Sequence, residues 1–146
     1  MAAAGIPVDL ALVEMAALLH DIDKPLTRAG AGPHGMVGAA RLAELGYAEL
    51  GPAVASHPVT ALLDDARFPR GWPSVIVAVA DRHVAQGFLT TDQRIDEMAV
   101  RHPEYRAALE ASRRPAHALE ADLAEAAGLG VDEMVDRLRR AWEAGG

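Results

Sequence analysis

The chain has 146 residues, no cysteine and a formal net charge of −7, so disulfides, thiolate metal sites and cysteine nucleophiles are excluded. The acidic balance also excludes a protein that coats nucleic acid or an anionic membrane by charge. Hydrophobic residues reach 51% but aromatic ones only 4%, with alanine supplying much of the difference, which predicts an all-α fold of closely packed helices in one domain over 1–146.

Residues 9–20 read as a helix with apolar groups on every side and therefore buried. Asp9 and Glu14 interrupt this run and no basic segment precedes it, so neither a signal peptide nor a membrane span is expected, and the location expected is cytoplasmic. Residues 22–33, with Pro25, Gly30, Gly32 and Pro33, read as a loop. A second helix runs from about Gly35 to Leu45 and stops at Gly46, and a third spans about 48–57 and is interrupted by Pro58. Asp64 to Pro73 is a longer loop, a natural lid or specificity segment. Val75 to Ala80 has the composition of a strand. No second strand pairs with it, so a buried helix is expected instead.

Thr90-Thr-Asp-Gln93 forms a capping box and starts the next helix, which ends before Pro103. Residues 103–127 are helical with a break or kink at Pro115. The last helix carries Val131, Met134, Val135, Leu138 and Trp142 on one face. With a core over about 9–102, the helices from about 103 to 146 either pack on it or form an interface, and a homodimer seam through Val131, Val135 and Leu138 fits the pattern equally well.

The chemistry concentrates in His20-Asp21, which closes the apolar run Leu10 to Leu19 and is followed by Ile22-Asp-Lys-Pro25. An imidazole and a carboxylate beside a core are costly, and a divalent metal offsets that cost. A hydrogen-bonded His-Asp pair at a helix end, without metal, satisfies the dipeptide equally. The chain then presents His34 in Pro33-His-Gly-Met-Val-Gly-Ala39, His57 in Val54-Ala-Ser-His-Pro58 and Asp81 in Val75-Ile-Val-Ala-Val-Ala-Asp-Arg-His83. Each is flanked by small or apolar residues rather than by a charged run. None of the three serines, Ser56, Ser74 and Ser112, sits in a nucleophile elbow.

The order HD, H, H, D over roughly residues 10–100 resembles the HD-domain superfamily of metal-dependent phosphohydrolases. Ala17-Leu-Leu-His-Asp-Ile-Asp-Lys-Pro25 is close to that family's AxLLHDIGKP pattern, with Asp23 where glycine is usual. The segment at His34 resembles its HGxxGA segment, and Ala80-Asp81 its late AD motif. The resemblance implies a helical bundle of HD type and one or two divalent transition ions, of Mn, Fe, Co, Ni or Zn. It implies His20, Asp21 and Asp81 on a first metal, His34 and His57 on a second, and Asp21 bridging the two. Family members carry a further histidine before the dyad, and this chain has none before His20. Three alternatives follow: the chain begins upstream of Met1, the first metal position lacks a ligand, or a later residue such as His83, His102 or His117 fills it. His83 lies two residues past Asp81 and faces away from the same metal.

By the same resemblance Lys24 contacts substrate phosphate, although a solvated loop lysine fits it as well. Arg82 either neutralises charge developing in the transition state or forms a structural ion pair. Asp21, Lys24 and Arg82 are thus the candidate catalytic residues. The implied activity is hydrolysis of a small phosphoester, a nucleotide, by metal-activated water. The partner implied is a small phosphorylated substrate, with no membrane and no non-specific nucleic-acid binding. Two other activities fit the scaffold: a degenerate HD module that binds a nucleotide or partner without turnover, and a di-iron oxygenase.

Overall fold

The Asp9 side chain accepts the backbone amide of Leu12 at 3.0 Å, and this cap starts the first helix. The computed structural model describes residues 5–145. Those residues form helices and the turns between them, with one isolated antiparallel bridge between Val84 and Phe88. The fold is all-α, as the composition requires. The chain divides into two compact units, Asp9–Ala78 and a second made of Val79 onward with the short segment before Asp9.

The first unit holds α1 (Leu10–Leu19), α2 (Lys24–Arg28), α3 (Met36–Glu44), α4 (Gly51–Ser56) and the beginning of α5 (Trp72–His83). Its core is Ala16, Leu42, Leu50, Ala53, Val54 and Val77, with Leu12, Val13, Leu19 and Ile22 packed against it. Alanines at 16 and 53 leave room for the backbones of α1 and α4 to approach. The expectation that α1 is buried on every side is corrected: among its residues only Ala16 is buried, and Leu10 and Leu18 are 68% and 78% exposed. A helix on the outside of so small a unit buries one face, here Leu12, Val13, Ala16 and Leu19.

The expected loop over 22–33 contains the short helix α2. Pro25 does not prevent it, because in the first turn a missing N–H breaks no intrahelical bond. The third expected helix opens as a 3₁₀ turn, Ala48–Leu50, before α4, and a second 3₁₀ turn spans Val59–Leu63. Val75 to Ala80 is helical within α5.

In the second unit α5 ends at His83 and is followed by α6 (Thr91–Arg101), α7 (Arg106–Ala126) and α8 (Val131–Gly145). The capping box forms as its sequence requires: Gln93 N–H donates to Thr90 Oγ1 at 3.2 Å, and Thr90 N–H to Gln93 Oε1 at 2.9 Å. Helix α7 passes through Pro115 without the expected break. Ile95, Leu109, Ala116 and Leu119 are buried in this unit. Of the expected apolar face of α8, Met134 is buried while Trp142 is 40% exposed. No helix among the described residues is long and apolar enough to cross a membrane.

Candidate metal centre

The first unit brings His20, Asp21, His34 and His57 together. His20 caps the C-terminus of α1 and His57 that of α4. At these positions each ring reaches back to its own helix: His20 Nδ1–H donates to the Ala17 carbonyl and His57 Nδ1–H to the Val54 carbonyl, both at 2.6 Å. A carbonyl only accepts, so both rings carry a proton on Nδ1, and in the neutral ring the lone pair is then on Nε2. His34 stands just before α3, and its Nδ1 lies 2.7 Å from Asp23 Oδ1. All three imidazoles therefore direct Nε2 toward one place.

Asp21 occupies that place. Its Oδ1 lies 3.2 Å from His34 Nε2 and 3.8 Å from His57 Nε2, and its Oδ2 lies 3.2 Å from His20 Nε2 and 2.5 Å from Lys24 Nζ. Ligand atoms of His20, Asp21 and His57 all fall within 4.8 Å of one another. The rings of His20 and His34 each meet that of His57 edge-on, with centroids 4.8 and 4.7 Å apart. Burial opposes the charge on Asp21, but hydrogen bonds from His20, His34 and Lys24 outweigh it and hold the carboxyl far below the usual range. Burial likewise opposes charging His34, and the carboxylates of Asp21 and Asp23 outweigh it and raise its pKa.

The Nε2 atoms of His34 and His57 are 2.9 Å apart. Two lone pairs at that separation repel unless a proton or a cation lies between them. Three imidazole nitrogens and a carboxylate, with no thiolate, are the donor set of a divalent transition ion. The residues present thus fit such a metal.

Two residues that sequence reasoning passed over support this cluster. Asp23, fully buried, accepts the Gly35 and Gly38 amides on Oδ2 at 2.7 and 2.9 Å while its Oδ1 faces His34. Gly35 is required there, with φ +84° and no room for a Cβ, and Gly38 fits closely, since a Cβ on it would stand 3.3 Å from the Asp23 carboxyl and 3.1 Å from Val54. The signal was in the sequence, as an aspartate replacing the usual glycine twelve residues before the first glycine of His34-Gly-x-x-Gly38. Arg67, in the expected lid loop, donates to the carbonyls of His34 at 3.0 Å and Ala55 at 3.4 Å, fastening that loop to two ligand-bearing segments. Nothing local in the sequence marks it.

Asp81 and Arg82 lie near the end of α5, in the second unit. Arg82 is 2% exposed, and its three guanidinium nitrogens have no hydrogen-bond partner among the described residues. Burial pushes its pKa down to about 10 against the opposing fields of Glu120 and Asp81. The other histidines are engaged within this unit. His83 faces the Leu89 carbonyl through Nδ1 at 2.7 Å and Glu120 Oε1 through Nε2 at 2.6 Å. His117 pairs with Asp92 at 2.9 Å, and His102 lies 3.5 Å from Glu104.

The HD domain family model matches residues 1–86, more than half of the chain. The chain belongs to the HD domain family. Its His-Asp cluster has the composition of that family's metal site, and HD domains are mostly metal-dependent hydrolases. Searches of curated proteins and of solved structures return no significant match.

Proposed function

We propose that this HD domain protein is a metal-dependent phosphohydrolase acting on a small phosphoester, a nucleotide in the first instance. The observation that carries the reading is the convergence of three Nδ1-committed imidazoles on the Asp21 carboxylate. His20, His34 and His57 would hold the metal through Nε2 and Asp21 through its carboxylate. When bound, a divalent ion supplies Lewis-acid charge to a phosphoryl oxygen and a water acidified to hydroxide near neutral pH.

The chain's own residues then bind and orient the ester. Lys24 is 46% exposed on its side chain and reaches Asp21, so its ammonium stands at the edge of the cluster, where a phosphate oxygen can accept from it. Arg82, in the second unit, is a buried guanidinium without a hydrogen-bond partner among the described residues, a costly state that a bound anion would relieve. The chain needs no protein nucleophile for this reaction, consistent with a sequence that has no cysteine.

The test is hydrolysis of a panel of nucleotides and simpler phosphoesters by protein loaded with Mn or Co. Asp21→Ala should lose bound metal and all hydrolysis while helical content stays near wild type. Full metal content in that variant overturns the site. Tight nucleotide binding without turnover by the loaded wild type would mark a binding module, and oxygen consumption by the ferrous protein a di-iron oxygenase.

A further inference from the structure

We propose that Asp23 is a positioning residue that fixes which nitrogen of His34 is available to a metal. The inference rests on the metal-site reading above. Its basis is a division of labour between the two Asp23 oxygens. Oδ2 is taken by two backbone donors, the Gly35 and Gly38 amides, at 2.7 and 2.9 Å. Only an acceptor can stand there. Oδ1 lies 2.7 Å from His34 Nδ1, so it draws the ring proton to Nδ1 and leaves the lone pair on Nε2. Nε2 is the atom that faces Asp21 Oδ1 at 3.2 Å and His57 Nε2 at 2.9 Å. His20 and His57 obtain the same tautomer from carbonyls of their own helices. His34 precedes its helix and has no such carbonyl behind it, so it takes its acceptor from a different segment of chain.

This geometry makes Asp23→Asn a sharp probe. The two backbone amides still demand an acceptor, so the Asn oxygen must take the Oδ2 place. Its NH₂ group is then forced opposite His34 Nδ1. A donor facing Nδ1 moves the proton to Nε2, and Asp21 Oδ1 is placed to accept it there. The variant keeps the size of the side chain and both helix contacts, yet it withdraws His34 from the ligand set. A purely structural role for Asp23 predicts no such proton shift.

The experiment combines ¹⁵N NMR of the His34 ring, in metal-free protein at a pH above its titration, with Co(II) titration. The wild type should show the Nδ1–H tautomer and Asp23→Asn the Nε2–H tautomer. Co(II) affinity should fall about 10- to 100-fold in the variant, the usual cost of removing such an orienting group. Asp21→Ala serves as the contrast, because it should lose metal while His34 keeps the Nδ1–H tautomer. An Nε2–H tautomer in the wild type overturns the proposal, as does a variant with unchanged tautomer or unchanged Co(II) affinity. If Asp23→Asn fails to fold, the wild-type tautomer alone decides. A wild type that binds no Co(II) would end the metal reading, while the tautomer comparison would still decide whether Asp23 sets the ring.

Discussion

One carboxylate, Asp21, faces three imidazoles and an ammonium, and this arrangement decides how the cluster responds to pH. Its hydrogen bonds hold it ionised far below neutrality, so loss of metal in acid must come from the histidines. His34 is the member with a raised pKa, and a proton on its Nε2 competes directly with a metal. Co(II) affinity should therefore begin to fall at a pH above the ordinary histidine range as the solution is acidified. The metal-free chain should behave in the opposite sense. A raised folded-state pKa stabilises the fold fully below the unfolded histidine value, and the contribution is lost as pH rises through the folded value. Thermal melts of metal-free protein should show this, and an affinity that falls only below the ordinary histidine range would contradict it. Lys24 reads out separately. As a phosphate contact it affects substrate more than metal, so Lys24→Ala should raise KM or lower kcat with metal content unchanged. Kinetics equal to wild type would make it an ordinary surface lysine paired with Asp21.

The elements show where local sequence decides structure and where it does not. Asp9, Thr90 and the α5 run are legible, because a cap or an unpartnered strand composition is settled within a few residues. The site's four clustered residues are singled out by the resemblance of their motifs to the HD family, each motif lying beside a helix end or a glycine turn. Helix α2 was missed because Pro25 signals a loop unless it falls in the first turn, and the exposure of Leu10 and Leu18 because burial depends on what packs alongside. The pair His83–Glu120 joins residues 37 positions apart, and no local pattern announces it. It pins the end of α5 to α7, with Thr91 Oγ1 3.4 Å from both Glu120 oxygens and the Phe88 ring stacked on His83 at 5.2 Å. Burial opposes the charge on Glu120, but His83 outweighs it and lowers its pKa. A depressed carboxylate stabilises the fold above its unfolded pKa, and the contribution is lost as pH falls through the folded value. Glu120→Ala strands a buried histidine and should cost about 3–5 kcal/mol. Urea unfolding at neutral pH measures this, and the deficit should shrink below the ordinary carboxylate range. A loss under about 1 kcal/mol would mean that the pair is incidental to the fold.

At the scale of the whole molecule, metal and fold are linked. Three imidazoles and a carboxylate are drawn together from α1, α3 and α4 by a core of six buried residues, so the site exists only when the first unit is folded. A ligand that binds only the folded chain stabilises it by mass action, by about 2.7 kcal/mol when its free concentration is a hundred times its dissociation constant. For a chain of this length that corresponds to a rise in melting temperature of roughly 5–10 °C. Mn or Co should produce that rise and a chelator should reverse it. On the reading proposed above, His34 and His57 would hold one ion and His20 the other, which lacks the histidine that members carry upstream. The two positions should then fill unequally, the His34/His57 position at least as tightly as the other. Titration of the metal-free protein with Mn or Co, followed by bound metal, should show two unequal steps, and Asp21→Ala, which removes the ligand common to both, should abolish both. Two equal and tight steps would mean that another side chain stands in for the absent histidine. A single step that survives replacement of both His34 and His57 would rule out the paired site altogether.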